Sequence, residues 1–127
     1  MGQPLQKVAY LQKQIEWIGS TLEEVRAMPV SVRRSFGYTL FALQLREQPV
    51  GDIKRLEGIP GVFEIKKNFG DAFRLVYCVT FEDTVYVLHA FKKKSHRGAK
   101  LPREVAALIH DRLAEAQRHH KARGSTK

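Results

Sequence analysis

The sequence predicts an α+β fold: an N-terminal helical hairpin and a C-terminal helix packed on a small antiparallel β-sheet. Three observations predict it. Val62 to Lys94 falls into three runs of alternating or β-rich residues, parted by tight turns at Asn68–Asp71 and Glu82–Asp83. Upstream, Val32, Phe36, Leu40 and Leu43 recur at three- and four-residue spacing behind a shorter capped segment. Downstream, Val105, Leu108, Ile109 and Leu113 repeat that spacing. Period two marks strands and period 3.6 marks helices, so the order is helices, meander, helix.

Taken in order, Met1 to about Lys13 is polar and weakly patterned, and part of it is expected to be loose. Gln14 to Ile18 alternates as an edge strand would, and Gly19 stops it. Ser20-Thr21-Leu22-Glu23 has the spacing of a capping box, with Ser20 as N-cap and Glu23 at the third helical position. That helix should end near Ala27, because Pro29 disfavours helix at Met28. A second helix is expected from around Pro29–Ser31 to near Gln48, before Pro49. Val50 to Gly61 holds Gly51, Gly58, Pro60 and Gly61, which is loop chemistry. The meander follows, with Thr84 to Phe91 as its third strand. Ser95 to Leu101 is a basic connector, Pro102 fits the first turn of the last helix, and Arg118 to Arg123 is expected as a frayed basic tail. No repeat or linker divides the chain, so residues 1–127 are expected to form one domain, with 1–13 and 118–127 as loose tails.

The pleat has a consequence for chemistry. Phe63, Ile65, Phe73, Leu75 and Tyr77 can share one face of the meander, which places Glu64, Lys66 and Arg74 on the other. Helices should cover the apolar face and leave the cationic one open. Lys92, Lys93 and Lys94 carry further charge to the end of the third strand.

Composition agrees with a cationic partner-binding role. Of 127 residues, 43% are hydrophobic, enough for a core, and 22 Lys and Arg against 13 Asp and Glu give a net charge of +9 and a pI near 9.9. Such a balance points to a polyanion, nucleic acid first, with an acidic protein or an anionic membrane surface fitting the same number. Cys78 is the single cysteine and sits mid-strand, which excludes an intrachain disulfide and suits a reducing cytoplasm. No signal peptide and no run of 18 apolar residues is visible, so a soluble cytoplasmic protein is expected, with no membrane role.

Several kinds of site are disfavoured. Cys78 has no companions at zinc spacing, the acids do not cluster as magnesium would need, and Gly58 and Gly61 belong to a turn rather than a phosphate loop. No metal and no cofactor are therefore expected. The cations are the remaining signal. Lys66, Lys67 and Arg74 come from neighbouring strands, and Lys92, Lys93, Lys94, Arg97, Lys100 and Arg103, with His96, form an acid-free segment. Any one of these lysines is most simply a solvated surface charge. Together they read as a phosphate-binding surface, because rigid strands aim Lys66 and Arg74 to one side.

Such a surface could also cleave RNA, which carries its own nucleophile in the 2′-hydroxyl. Fixed Lys and Arg side chains can stabilise the developing charge. Proton transfer calls for Glu64, His89, His96 or a lysine whose neighbours lower its pKa. Each has a simpler reading: Glu64 as a partner of Lys66 or Arg74, His89 as a satisfied structural histidine, and His96 as part of the connector.

The pieces EIK, FRLVY and VLHAFKKKS, in that order after W-I, a capped helix, MPVSVR and a Gly-rich loop, carry a family resemblance. From about Ile15 to Leu113 the chain resembles the phage-derived branch of the HigB/RelE toxin superfamily of bacterial toxin–antitoxin systems. The resemblance implies a RelE-like α+β fold and a metal-independent, ribosome-dependent mRNA endoribonuclease. It also implies restraint by a cognate antitoxin, a helix-turn-helix protein encoded nearby. Family active sites place basic residues on the EIK strand, the FRLVY strand and the lysine segment, which here are Lys66, Arg74, Lys92 and Lys93, with Lys94 adjacent. The charge pattern adds Lys67, Lys94, His96, Arg97 and Lys100 as expected RNA contacts. The sequence departs from RelE-type toxins at Glu64, where they often have lysine, and between Ser95 and Leu101, where it has no tyrosine and His96 could substitute. ParE-type members of the same superfamily poison DNA gyrase instead, and a non-enzymatic nucleic-acid-binding module would also fit the charge.

Overall fold

The computed structural model describes residues 12–48, 51–79, 81–93 and 101–124. Strand β1 spans Gln14–Trp17, helix α1 Thr21–Arg26, helix α2 Val30–Gln44, and strand β2 Asp52–Arg55. Strands β3 (Val62–Phe69), β4 (Asp71–Cys78) and β5 (Thr84–Lys93) form the meander, and helix α3 runs from Arg103 to Gly124. The sheet order is β1-β5-β4-β3-β2. The fold is α+β, as the periodicities predict, but the sheet is mixed: β1 pairs with β5 in parallel, while the other neighbours are antiparallel.

The two faces of the sheet bury different partners. On one, Val25 of α1, Met28, and Val32, Phe36 and Leu40 of α2 pack on Ile65, Phe73, Leu75, Tyr77, Val85 and Val87. On the other, Ile109 and Ala116 of α3 pack on Val62, Val76, Cys78, Tyr86 and Leu88. The expectation that the helices would leave the whole cationic face open is therefore corrected. Val76, Cys78, Tyr86 and Leu88 need cover as much as the opposite face does, and α3 supplies it. Strands this apolar on both sides belong to the middle of a sandwich.

Other elements shift for local reasons. Asp52–Arg55, expected as loop, is an edge strand paired to β3 with Ile53 opposite Ile65 and Lys54 opposite Glu64. Ser20 begins α1, but its hydroxyl donates to the Glu24 carboxylate at 3.0 Å and makes no side-chain cap. Arg118 to Arg123, expected as a tail, continue α3. There His119 approaches Glu16 at 3.4 Å and Tyr86 at 2.9 Å, and Arg123 approaches Asp83 at 3.5 Å.

Past Trp17, β5 would be an open sheet edge. It is closed by one further backbone bond and by side chains instead. Ile18 N–H donates to Val87 O at 3.0 Å, the Thr21 hydroxyl reaches Val87 O at 3.2 Å, and Ala90 N–H donates to Glu24 Oε1 at 3.0 Å. Arg112 of α3 donates to Leu88 O at 2.9 Å and lies 3.3 Å from both Glu24 oxygens. Unpaired strand edges are pairing hazards, and this cover removes one.

Candidate nucleic-acid site

Pleat and register decide which charges meet. Lys66 lies opposite Arg74 on β4 and opposite Asp52 on β2, and Lys54 lies opposite Glu64. Cross-strand partners share a face, so Lys54, Glu64, Lys66 and Arg74 belong together on the α3 side. Gly70, at a φ of 78°, makes the tight β3–β4 turn that sets this register.

The third strand contributes through an irregularity. The β4–β5 register moves from Val76 opposite His89 to Tyr77 opposite Val87, leaving Leu88 as an extra residue. A bulge reverses the alternation beyond it. Val85 and Val87 face α2, but so does Ala90. Lys93 therefore falls on the face of Arg74, while Lys92, opposite Phe73, falls with Lys67 on the α1–α2 face. Apart from His89, the basic and acidic candidates on β3, β4 and β5 separate into Glu64, Lys66, Arg74 and Lys93 on one side and Lys67 and Lys92 on the other. Lys92 there approaches Asp71 at 3.2 Å. The proposed grouping of Lys92 and Lys67 with Lys66 and Arg74 is thus corrected by the bulge and by the pleat.

Beside the first group lies a cleft of about 740 Å³, lined by Lys54–Ile59, Glu64, Lys93, Leu101, Ala106 and His110. One wall is sheet and the β2–β3 connection; the other is the start of α3. Glu64 and Arg74 are each only 5% exposed. The Arg74 Nε stands 3.4 Å from Glu64 Oε1, and the Lys54 ammonium stands 3.8 Å from the same oxygen. The Arg74 Nε–H is buried and forms no hydrogen bond, so this contact is charge attraction without good alignment. One buried carboxylate thus holds a guanidinium and an ammonium at the cleft. Burial, then the cations Arg74, Lys54 and Lys66, push the Lys93 pKa below its usual 10.5, with Glu64 opposing them. Such a site attracts an anion that would restore balance.

His89 does not line the cleft. Its Nδ1 is 3.0 Å from Glu24 Oε1 and 3.3 Å from Arg112 Nη1, and its ring stacks on Phe91 with centroids 4.9 Å apart. These contacts tie α1, β5 and α3 together through His89, away from the cleft. Lys94, His96, Arg97 and Lys100 lie outside the described residues. Sequence reasoning missed His110, which sits on α3 without any pattern to single it out, and Lys54, which falls in the stretch expected as loop. Among the described residues, no three His, Cys, Asp or Glu side chains gather as a metal site would require, and no helix is long and apolar enough to cross a membrane.

No curated protein matches the chain. A family match spans residues 23–114, from α1 into α3, and covers all of the elements that build the cleft. The chain belongs to the family of phage-derived Gp49-like proteins (DUF891), within the RelE/HigB-like toxins.

Proposed function

We propose that this protein is the toxin of a type II toxin–antitoxin pair and acts as an endoribonuclease on mRNA at the ribosome. The observation that carries the reading is the placing of Lys66, Arg74 and Lys93 on one sheet face, with Lys93 opening into the cleft. Family membership supports the toxin and its restraint by a cognate antitoxin.

In this reading the RNA strand enters the cleft with a phosphate beside Lys54, Lys93 and Arg74. The 2′-hydroxyl attacks the adjacent phosphorus, its proton leaves, and the bond to the 5′-oxygen breaks as that oxygen gains a proton. The products are a 2′,3′-cyclic phosphate and a 5′-hydroxyl. Lys93 is the residue suited to accept the first proton, because its lowered pKa leaves more of it neutral than an ordinary lysine. His110, on the facing wall, is suited to donate the second. Arg74 and Lys54 stabilise the charge that accumulates on the phosphate, and Glu64 holds both in place.

The test is induced expression in bacteria with mapping of transcript 5′ ends. Growth arrest should come with cuts inside coding sequences. Arg74→Ala and Lys93→Ala should each relieve arrest by at least about 100-fold in survival, the scale of losing one charge-stabilising or proton-transferring group. Arrest that persists in the folded double variant overturns the nuclease. Arrest with intact transcripts and broken DNA would assign the gyrase-poisoning activity instead.

A further inference from the structure

Helix α2 is apolar on two sides. Its inner stripe, Val32, Phe36 and Leu40, is buried against the sheet. Its outer side carries Val30 at 51% exposure, Tyr38 at 81% and Phe41 at 52%. These are three of the four large hydrophobic side chains exposed among the described residues; the fourth, Phe69, lies in the β3–β4 turn region. Val30, Arg34, Gly37 and Phe41 follow one another at four-, three- and four-residue steps, so they form a single row, with Tyr38 beside it. Apolar side chains gathered on an outward helix face mark a contact surface.

Three features specify what covers this row. Gly37 stands in its middle, and a Cβ built there meets nothing within 4 Å, so another backbone can approach closely. The row is straight and one helix wide, which suits a helix laid against it. Residues 30–44 include Arg33 and Arg34 but no Asp or Glu. A second copy of this chain would bring no carboxylate of α2 to Arg33 or Arg34, and would join two molecules of net charge +9. A lipid surface would have to take up the guanidinium of Arg34, which lies within the apolar row between Val30 and Phe41. An acidic partner avoids both difficulties.

We infer that the outer face of α2 is a docking site for an amphipathic helix of a separate, acidic protein, with apolar side chains set between Val30, Tyr38 and Phe41 and carboxylates on Arg33 and Arg34. The inference does not depend on the nuclease reading. Because α2 packs on the sheet face opposite the cleft, the docked helix leaves the cleft open. A partner held here restrains or recruits the protein without plugging its RNA site.

The test uses the full chain and a displayed library of helical peptides. Apolar residues are fixed at i, i+3, i+4 and i+7, and flanking positions vary among Glu, Lys and Gln. Selected binders should be rich in Glu. Their affinity should fall by at least about tenfold on a Tyr38→Ser/Phe41→Ser variant and on Gly37→Gln. The Gln at 37 should keep or raise the melting temperature, since glycine is a poor helix former, so weaker binding there cannot come from unfolding. No selected binder, binders rich in Lys, or binding that survives both variants overturns the proposal. So does a dimer of the free chain, or adsorption to vesicles of anionic phospholipid, that Phe41→Ser abolishes. Transcript cleavage, measured separately, should be unchanged in these variants, so a failed docking site and a failed nuclease assignment give different results.

Discussion

At Lys93 the ammonium is partly withdrawn from water and faces Arg74, Lys54 and Lys66, while Glu64 alone pulls the other way. His89 is held below its ordinary 6.5, first by burial and then by Arg112, against the attraction of Glu24. These shifts differ in what they control. The Lys93 shift tunes a group at the cleft; the His89 shift couples protons to folding. A histidine whose folded pKa is lowered takes up protons more readily when the chain unfolds. Stability is therefore undiminished above about 6.5 and falls as the pH drops from there toward the folded value. Burial of Glu24 would raise its pKa, but Ala90 N–H, His89 and Arg112 together outweigh it and hold it below 4.5. Its contribution is present above 4.5 and is lost as the pH falls through its lowered folded value. The melting temperature should decline in two stages on acidification, the first beginning near pH 6.5, and His89→Gln should remove the first stage in a pH series of thermal melts. Residue-level legibility was uneven. The pleat alone was enough to put Glu64, Lys66 and Arg74 together. It could not choose between Lys92 and Lys93, because the extra residue at Leu88 that settles the matter leaves no mark in a run of apolar residues.

Among the elements, α3 has the double task of covering half the sheet and walling the cleft. Ile109 is fully buried against Val62, Val76 and Leu88. Ile109→Ala should cost about 3 kcal/mol, the usual range for truncating a buried aliphatic side chain. Hydrogen exchange should show the loss as faster opening of α3, with the amides paired between β3 and β4 less affected. Helices α2 and α3 and the meander were legible because each has a long apolar period, and α1 because of the Ser20–Glu23 spacing. Strand β2 was not, since Asp52, Lys54 and Arg55 offer no alternation between the glycines that flank them; only its backbone pairing to β3 makes it a strand. The end of α3 was missed for a related reason. Arg118 to Arg123 is polar in sequence, and what orders it is distant in sequence: Glu16, Asp83 and Tyr86 receive His119 and Arg123. Sequence periodicity reports burial of apolar faces and is silent about polar contacts across the fold.

For the molecule as a whole, the two sheet faces separate two kinds of attraction. The α3 side concentrates fixed positive charge at a cleft; the α2 side offers apolar contact edged by arginine. With four cations on the α3 face of the sheet, Lys54, Lys66, Arg74 and Lys93, of which Lys54 and Lys93 line the cleft, single-stranded RNA binding should weaken with salt at a log–log slope of about −3, from roughly 0.7 per phosphate contact. Removing Lys93 should make the slope shallower by about 0.7, measured by fluorescence anisotropy across a salt series. A slope near zero would show that the net charge of +9 does not act on nucleic acid through these residues.

The parallel pairing of β1 with β5 also sets an order in time. Gln14–Trp17 finds its partner only when Thr84–Val87 has been made. The hairpins of the meander can close as they emerge, whereas the earliest strand must wait, and α1 cannot close the edge of β5 until then. Pairing therefore reaches back from β5 to a strand made earlier, and β1 stays unclaimed while the residues between them are synthesised.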